Sequence, residues 1–271
     1  MNRPTISLLT DFGAADHYVA AMKGVILGIC RDAQMVDISH EITPYAIPEA
    51  AYTLAQAWRC FPKGTVHLVV VDPGVGSDRR PIVAEAGGHR FVAPDNGVLD
   101  MVLNAEPKHR VREITSRTWF RHPVSQTFHG RDIFAPVAAH LACGAPLSGF
   151  GNLVKDCVRP GFSNPYKTKP NAWTGTVLKV DRFGNVITNF ERGLFQSIIE
   201  NKSFRIRLGT GVVSRIFENY AAAPDDRPFA IHGSAGYVEI SARQRSAAAI
   251  LGVIPGNSTR LWVPGNFVFF D

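Results

Sequence analysis

Three loops in the first half of the sequence carry side chains that could do acid–base or ligand-binding chemistry. The first loop is Thr-Asp-Phe-Gly at residues 10–13, followed closely by Asp16. A carboxylate directly after a predicted strand, such as that of Asp11, is well placed to accept hydrogen bonds from a ribose diol. The alternative is that Asp11 only caps the helix that begins near Asp16, which is a common use of aspartate.

The second loop, DPGVGSDRR at residues 72–80, follows the most apolar strand pattern in the chain. Its proline and glycines force a tight turn with little side-chain bulk, so the backbone can approach a ligand. The loop lacks the Gly-Lys-Ser/Thr ending of a phosphate-binding P-loop. The alternative role of Asp72 is a purely structural pair with Arg79 or Arg80, because an unpaired buried charge is costly.

The third loop, TFHGRD at residues 127–132, places His129 beside a glycine rather than on an apolar face. An imidazole in a cleft is useful because its pKa lies near neutrality. A metal site is one alternative, with His129 and Asp132 joined by Asp37, His40 or Asp72, but no strong metal-binding spacing supports it. The other alternative is structural: Asp132 caps a helix and His129 is an exposed loop residue.

Two weaker candidate loops lie in the second half of the chain. The loop at residues 181–185, DRFGN, contains Asn185, whose amide can both donate and accept hydrogen bonds as purine recognition requires. The loop at residues 233–237, GSAGY, exposes backbone amides. An ordinary turn and an ordinary hairpin are the respective alternatives.

Regular elements must hold these loops, and the first half of the chain alternates strand and helix patterns. Strands are predicted at residues 6–9, 34–38, 65–71, 81–84 and 90–93. Helices are predicted at residues 18–29, 48–61 and 132–143. Because the third strand is apolar throughout, we expect an N-terminal α/β domain (residues 1–160) with a mostly parallel sheet.

The texture of the sequence changes after residue 160. A stretch rich in proline and without periodicity, residues 161–171, predicts a linker. Strand patterns follow at residues 175–180, 203–208, 228–231, 236–241 and 259–263. They predict a smaller C-terminal β domain over residues 172–271.

Composition excludes several classes of protein. The chain has 271 residues, 45% of them hydrophobic, and its 29 Lys and Arg against 23 Asp and Glu give a net charge of +6. Like charges form no long block, so we expect no nucleic-acid partner. No apolar run is long enough for a membrane helix. An acid at Asp11 comes too early for a signal peptide, and the four scattered cysteines indicate reduced thiols, so a cytoplasmic location is expected.

Seven segments, in order from Leu8 to Ile240, together resemble one family, the S-adenosylmethionine hydroxide adenosyltransferases or SAM hydrolases. The segments are LLTDFGAADHYVAAMKGVI, VDISHEITPYAIPEAAYTL, FPKGTVHLVVVDPGVGSDRRPIV, FVAPDNGVLDMVL, TFHGRDIFAPVAAHLACGAPL, VLKVDRFGNVITN and GSAGYVEI. They cover nearly the whole chain. Relatives of this family fluorinate or chlorinate the same substrate.

The resemblance implies a fold and a reaction. It implies an N-terminal α/β domain, a C-terminal β-barrel-like domain, and a homotrimer with active sites at subunit interfaces. Water, activated as hydroxide, attacks C5′ of the adenosyl group of S-adenosylmethionine, and the products are adenosine and L-methionine. Neither a metal nor a cofactor is implied.

The resemblance also implies which residues act. The family's catalytic Asp, Arg and His fall on Asp72, Arg79 and His129, and the sequence does not decide whether Asp72 or His129 accepts the proton. The halogenating relatives lack this pattern, which argues for water rather than halide. A halide adenosyltransferase, a non-catalytic SAM or adenosine sensor and a metal-dependent hydrolase remain the alternative functions.

The substrate-binding positions of the family map onto eight residues of this chain. Asp11 is expected at the ribose, Asp16 and Tyr18 at the methionine end, Tyr45 as an aromatic packing surface, Asp181 and Asn185 at the methionine amine and the adenine, Tyr220 over the adenine, and Ser234 in the GSAGY loop. The chain departs from the fluorinating relatives at two positions. Ala235 replaces an arginine near the methionine carboxylate, and Tyr45 replaces a tryptophan.

Overall fold

The structure, a computed structural model, describes residues 3–199, 203–223 and 227–262 and divides the chain into two units. The units are Met1–Gly161 and Phe162–Asp271. The predicted linker, residues 161–171, is corrected here, because it contains the strand Tyr166–Lys169, which pairs with the strand after it. The prolines that suggested irregular chain, Pro165 and Pro170, flank this strand, so they remove no donor from inside it.

The first unit is an α/β structure built on a seven-stranded sheet. Its strands are β1 (Thr5–Thr10), β2 (Gln34–Ser39), β3 (Val66–Val70), β4 (Pro81–Ala86), β5 (His89–Pro94), β6 (Arg110–Glu113) and β7 (Leu153–Val154). Its helices are α1 (Tyr18–Ile29), α2 (Ile47–Ala57), α3 (Asp100–Ala105) and α4 (Ala135–Ala142). The sheet order is β2-β1-β3-β5-β4-β6-β7. The first four strands in that order pair in parallel, and the remaining pairings are antiparallel.

Helices cover both faces of this sheet, which explains the uniformly apolar strands. In β1, Leu8 faces one hydrophobic cluster and Leu9 faces another, and both are fully buried. The first cluster includes Met22 of α1, and the second includes Leu54 of α2. A strand buried on both faces does not alternate polar and apolar residues. The α/β class predicted for this part of the chain is confirmed.

The candidate loops follow the carboxyl ends of adjacent parallel strands. Asp11 comes directly after β1, and Asp72 comes two residues after β3, its parallel neighbour. Open α/β sheets bind ligands at this edge. The fold therefore brings two of the predicted loops to one place.

The helix predicted at residues 132–143 starts differently from the prediction. Residues Gly130–Phe134 form a π-helical turn, closed by a hydrogen bond from the Ala135 N–H to the Gly130 carbonyl, and α4 follows it. Pro136 has no N–H to donate to the Asp132 carbonyl, which instead accepts from the Arg121 N–H at 2.9 Å. The missing donor explains why an ordinary α-helix does not begin here.

The second unit is rich in strands and resembles a half-barrel. Its strands are β8 (Tyr166–Lys169), β9 (Ala172–Val180), β10 (Val186–Glu191), β11 (Arg205–Leu208), β12 (Gly211–Val213), β13 (Ile216–Phe217), β14 (Phe229–His232), β15 (Tyr237–Ser241) and β16 (Ser258–Trp262). Its helices are α5 (Arg192–Ile199) and α6 (Ala247–Leu251). The order is β12-β11-β16-β9-β10-β15-β14-β13, with β8 beside β9. The predicted β-barrel-like class is confirmed, and the last predicted strand residue, Val263, lies outside the described residues.

The prediction that all four cysteines are reduced is wrong for one pair. Cys30 and Cys143 form a disulfide with a Cα–Cα distance of 6.0 Å. Each follows the last residue of a helix, α1 and α4 respectively, and these two helices pack against each other. The two cysteines are separated by 113 positions in the chain, so sequence spacing gives no signal of this pairing. Cys60 and Cys157 are free.

Within the described ranges, no helix has the length and apolar character needed to cross a bilayer.

Two histidines form an unusual polar contact inside the first unit. His67 of β3 lies 2.6 Å from the Ser7 hydroxyl and 3.1 Å from Nδ1 of His89, and all three side chains are buried. Its ring also stacks on Phe91 with 4.9 Å between centroids. Burial, with the charge of His89 adding to it, lowers the pKa of His67 from 6.5 to about 3. The folded protein therefore holds this imidazole neutral.

We expect the free energy of unfolding to fall as the pH drops from 6.5 towards 3. In that window His67 binds a proton in the unfolded chain but not in the folded one, and this one group contributes up to about 1.4 kcal/mol per pH unit. Urea unfolding at several pH values and one protein concentration measures the slope. A His67→Asn variant cannot titrate there and should give a shallower slope. Parallel slopes for the two proteins would contradict the prediction.

Candidate active site

Asp72, Arg79 and His129 meet in one hydrogen-bonded cluster. Arg79 donates from Nε to Asp72 Oδ1 at 3.0 Å and from Nη2 to Asp72 Oδ2 at 2.5 Å. The same Nη2 lies 3.0 Å from Nδ1 of His129. The side chains of Arg79 and Asp72 are only 7% and 5% exposed, so little water competes for these bonds. The structure thus brings together the three residues that the sequence predicts to be catalytic.

A glycine permits the close packing that creates this cluster. Gly76 has φ of +80°, and a Cβ at this position would stand 2.6 Å from the Gln126 carbonyl oxygen. The loop of residues 72–79 therefore lies directly against the segment that leads to His129. Both the left-handed backbone and the lack of room require glycine at this position.

One nitrogen of the Arg79 guanidinium, Nη1, is buried and has no hydrogen-bond partner among the described residues. A buried donor without a partner costs free energy comparable to a lost hydrogen bond. Such a group points to a bound oxygen, from water or ligand, that completes the site.

The contact with Arg79 determines which nitrogen of His129 carries the proton. A guanidinium offers donors only, so Nδ1 of His129 must accept, and a neutral ring then holds its proton on Nε2. Burial, and next the charge of Arg79, lower the pKa of His129 from 6.5, while Asp72 and Asp132 oppose this only in part. His129 is therefore a neutral imidazole with an Nε2–H to donate.

A buried carboxylate anchors the segment that carries His129. The Asp132 side chain is fully buried and accepts from Arg121 Nη1 at 3.1 Å, from Arg131 Nε and Nη2 at 2.7 and 2.9 Å, and from the Ser125 N–H at 2.9 Å. Burial would raise the pKa of Asp132, but these partners bring it below its usual value. Asp132 thus joins the start of the π-helical turn to the loop before it, rather than simply capping a helix.

The Asp132→Asn variant is expected to lose about 1–3 kcal/mol of unfolding free energy. Asparagine keeps an acceptor for the Ser125 N–H but loses the charge that holds the two arginines, and hydrogen bonds to charged groups lie in this range. Urea unfolding measures the loss. Asp156→Asn is the matched control, because Asp156 is 79% exposed and its pair with Arg80 should be worth less than about 1 kcal/mol. Equal losses in the two variants would contradict the prediction.

Asp11 binds the backbone of a strained residue. Its Oδ2 accepts from the Tyr45 N–H at 2.9 Å, and Tyr45 has φ of +68°, which is rare for a residue other than glycine. Burial raises the pKa of Asp11, the Tyr45 N–H opposes this, and the charge of Asp72 adds to it. The helix-capping alternative for Asp11 is wrong, because α1 begins at Tyr18 with no side-chain cap. The Tyr45 ring itself is 73% exposed.

Asp16 and Tyr18 lie on the surface near the start of α1. Asp16 is exposed, and the structure gives it no partner within the described part of the chain. The Tyr18 ring packs against Phe12 and Phe128, with centroids 5.5 and 5.1 Å apart, and is 39% exposed. Since Phe128 precedes His129, this aromatic cluster lies next to the Asp72–Arg79–His129 cluster in the chain.

The second unit has its own cavity, of about 720 Å³, which is lined in part by Asp181, Asn185 and Tyr220. Its size suits a ligand of nucleoside dimensions. Asp181 holds the 181–185 turn together, because its carboxylate accepts from the N–H groups of Phe183 and Asn185 and from the Asn185 amide. The turn predicted as the alternative is therefore present, and it presents these residues to the cavity.

Other residues of this cavity were missed by sequence reasoning. They follow β15 in the segment Ala242–Ser246, where Gln244 has φ of +51°. Their position directly after a strand was the available signal, as it was for the other loops. Tyr220 is 46% exposed, and its hydroxyl lies 3.4 Å from the buried Glu239 carboxylate.

Ser234 lies in a hairpin turn. The Gly233 N–H donates to the Tyr237 carbonyl at 2.9 Å and the Gly236 N–H to the Gly233 carbonyl at 3.0 Å, as the hairpin alternative predicts. Ser234 is exposed and does not line the cavity described above. Its substrate-binding role stays a prediction.

The residues of the metal-site alternative do not gather in one place. Asp37 and His40 contact each other, and Lys23 binds Asp37, whereas His129 binds Arg79. Among the residues that the structure describes, no group of three or more His, Cys, Asp or Glu side chains is placed to hold a metal ion.

The strand-end loops and the buried Asp–Arg–His cluster define an α/β protein with a hydrogen-bonded polar cluster, and comparison with known proteins gives the family. The SAM hydroxide adenosyltransferase N-terminal domain matches residues 6–151, and the C-terminal domain of the same family matches residues 175–260. The chain belongs to the SAM hydroxide adenosyltransferase family.

Individual relatives agree with this assignment. The (R)-S-adenosyl-L-methionine hydrolase of Salinispora tropica is 38% identical over 261 residues, which are 95% of this chain and 97% of the relative. A fluorinase of Actinopolyspora mzabensis is 29% identical over 72% of this chain and 74% of its own length. The crystal structure of an uncharacterized conserved protein from Thermotoga maritima has a TM-score of 0.82 and 36% identity, and covers 95% of this chain and 99% of that one.

Proposed function

We propose that the chain hydrolyses S-adenosyl-L-methionine to adenosine and L-methionine, with Asp72, Arg79 and His129 holding the attacking water. The full-length similarity to SAM hydrolases supports the reaction. The observation that carries the site is the buried Arg79 Nη1, which has no partner in the described chain while its neighbours bind Asp72 and His129.

The proposed roles divide among the hydrogen-bonding groups of the cluster. One O–H of the attacking water donates to Asp72, Arg79 holds that carboxylate in place through Nε and Nη2, and the Arg79 Nη1–H and the His129 Nε2–H are donors for other oxygen atoms at the reacting site. Each carboxylate oxygen that binds Arg79 retains a second lone pair for this purpose. A water held in this way keeps a lone pair that can be directed at C5′, and such orientation is a large part of the rate gain.

The atoms and electrons of the displacement reaction balance without a cofactor. A bond forms between the water oxygen and C5′, the C5′–sulfur bond breaks with its electron pair on sulfur, and one water proton goes to Asp72 before it reaches solvent. As the new bond forms, the oxygen becomes strongly acidic, so a weak carboxylate base is sufficient. We therefore assign proton acceptance to Asp72 and hydrogen-bond donation to His129.

The remaining candidate residues fit the substrate by their chemistry. Asp11 is assigned to the ribose diol, Asp16 and Tyr18 to the methionine end, and Tyr45 to packing against the substrate. In the second unit, Asp181, Asn185, Tyr220 and Ser234 are assigned to the adenine and the methionine amine. The acids in this set, Asp11, Asp16 and Asp181, suit a cationic substrate, because the net charge of +6 does not attract one.

The family resemblance supports a homotrimer with interfacial active sites, and the highly exposed rings of Tyr45 and Phe183 suit surfaces that an assembly would cover. Sedimentation velocity tests this state. The predicted cytoplasmic location stays a prediction, and the Cys30–Cys143 disulfide removes one of its arguments.

Mass spectrometry of the products tests the proposed reaction. Incubation with S-adenosylmethionine in ¹⁸O-water should give adenosine that is heavier by one ¹⁸O at O5′, together with unlabelled methionine. A parallel incubation in chloride tests the halide alternative. Absence of adenosine, adenosine without label, or 5′-chloro-5′-deoxyadenosine as the main product would refute the proposal.

A further inference from the structure

Four side chains form a line from the interior of the first unit to its surface. Thr10 Oγ1 lies 2.9 Å from Nδ1 of His40, and Nε2 of His40 lies 3.0 Å from Asp37 Oδ1. The second contact lies off the line that a hydrogen bond requires, so it is an electrostatic contact. Lys23 of α1 ends the line by donating to Asp37 Oδ2 at 2.6 Å.

His40 holds the loop of Asp11 on both sides. Its ring contacts Thr10, the residue before Asp11, and its carbonyl accepts from the Gly13 N–H at 2.8 Å. The Thr10 hydroxyl also accepts from the Phe12 N–H at 3.3 Å. Every backbone neighbour of Asp11 in this loop is therefore tied, directly or through Thr10, to His40.

The order of these side chains resembles a nucleophile–base–acid arrangement, but the burial excludes that role. Thr10 is fully buried, so its hydroxyl cannot reach a substrate. The His40 side chain is 12% exposed, which limits competition from water. A buried hydroxyl and a largely buried imidazole that contact each other fix a conformation rather than reacting.

The carboxylate of Asp11 must be placed accurately if it is to bind a ribose diol. One of its carboxylate oxygens already accepts from the Tyr45 N–H, and two ribose hydroxyls would have to share the remaining lone pairs. Sites of this kind require their groups within about 0.5 Å of the productive position. The support for Asp11 must therefore come from the loop itself.

We propose that His40 is a positioning residue for ribose recognition: through Thr10 and Gly13 it sets the loop so that the Asp11 carboxylate meets both hydroxyls of the substrate diol. This proposal rests on the proposed function, because it assumes that Asp11 binds the ribose. It goes beyond that function by assigning the control of sugar recognition to a residue that does not touch the sugar.

The test compares adenosine with 2′,3′-dideoxyadenosine, which lacks the diol, by isothermal titration calorimetry. In the wild type, adenosine should bind about 10- to 100-fold more tightly than dideoxyadenosine. This ratio corresponds to the free energy of hydrogen bonds to a charged group. In His40→Asn this ratio should fall at least fivefold, while the affinity for dideoxyadenosine stays within about twofold of the wild type. His109→Asn, which alters a histidine that contacts the Glu106 carbonyl, should keep the wild-type ratio.

The other outcomes distinguish a failure of this proposal from a failure of the proposed function. An unchanged ratio in His40→Asn, with both ligands weakened equally, would overturn the proposal and leave the proposed function standing. A wild type that prefers neither ligand would contradict the ribose role of Asp11 and this proposal together, while labelled adenosine from the ¹⁸O experiment would still support hydrolysis.

A second variant guards against a failure of His40→Asn to fold. Thr10→Val keeps the side-chain volume and removes the hydroxyl that His40 contacts, so the same fall in the ratio is expected. Asp37→Asn weakens the contact of this residue with His40 as well as its pair with Lys23, and should reduce the ratio by a smaller factor. Thermal unfolding of each variant confirms that the comparison is made on folded protein. A wild-type ratio in a folded Thr10→Val protein would also overturn the proposal.

Discussion

Replacing Asp72 with asparagine should lower kcat for S-adenosylmethionine hydrolysis by about 10²- to 10⁴-fold, the usual scale for a general acid–base group. Asparagine can still accept hydrogen bonds from Arg79, but it cannot take the proton that leaves the attacking water. The effect should fall on kcat with KM little changed, because Asp72 acts on water rather than on the adenosyl group. Adenosine release followed by liquid chromatography measures both constants.

Asp156→Asn is the matched control for this experiment. Asp156 also pairs with an arginine, Arg80, but its side chain is 79% exposed, so its loss should leave kcat within about twofold. A wild-type kcat in a folded Asp72→Asn protein would show that Asp72 is not the proton acceptor.

The second large effect concerns His129 and the pH dependence of the reaction. The pKa of His129 is lowered from 6.5, first by burial and then by Arg79, so the neutral donor form persists as the pH falls through 6.5. We expect kcat to stay level from pH 8 to 6.5 and to decline only below that range. His129→Phe, which has no N–H, should reduce kcat by about 10²-fold or more.

Stopped assays between pH 5 and 8.5 give this profile. A decline in kcat that begins above pH 6.5 would show that protonated His129 is already abundant there, against the tautomer that the Arg79 contact requires. His129→Gln retains an N–H donor and should recover part of the activity lost in His129→Phe. Equal activity of the two variants would argue against donation as the role of this residue.

Much of the architecture follows from local patterns in the sequence. The helix predicted at residues 18–29 is α1, and each of the five predicted strands of the first half overlaps an observed strand. Amphipathic and fully apolar patterns are local properties of the chain, so a sequence carries them directly. The loops at residues 10–13, 72–80 and 181–185 could be found for the same reason, since each follows a predicted strand, whereas the loop at residues 127–132 could be found from its residue types.

What the sequence leaves open depends on contacts between distant residues. It offers Arg79 and Arg80 equally as partners of Asp72, whereas the structure turns Arg79 to Asp72 and Arg80 to Asp95. The left-handed backbone of Tyr45 requires the distant Asp11 carboxylate. Neither outcome is encoded in a short window.

Two features that the sequence did not predict, strand β10 and the Cys30–Cys143 disulfide, have the same physical origin. Strand β10 carries Thr188 and Asn189 at buried positions, which argues against a core strand until their partners are known. The Thr188 hydroxyl donates to the Val238 carbonyl, and the Asn189 side-chain oxygen accepts from the Thr176 N–H. The Cys30–Cys143 disulfide likewise appears only when α1 and α4 pack together.

The central claim is that the Asp72–Arg79–His129 cluster holds the oxygen that attacks C5′ through Asp72, and this oxygen becomes O5′ of adenosine. A crystal structure of the protein with bound adenosine tests the claim most directly. The account predicts O5′, or a water in line with C5′, within hydrogen-bond distance of the Asp72 carboxylate. Adenosine bound with C5′ facing away from this carboxylate would contradict it.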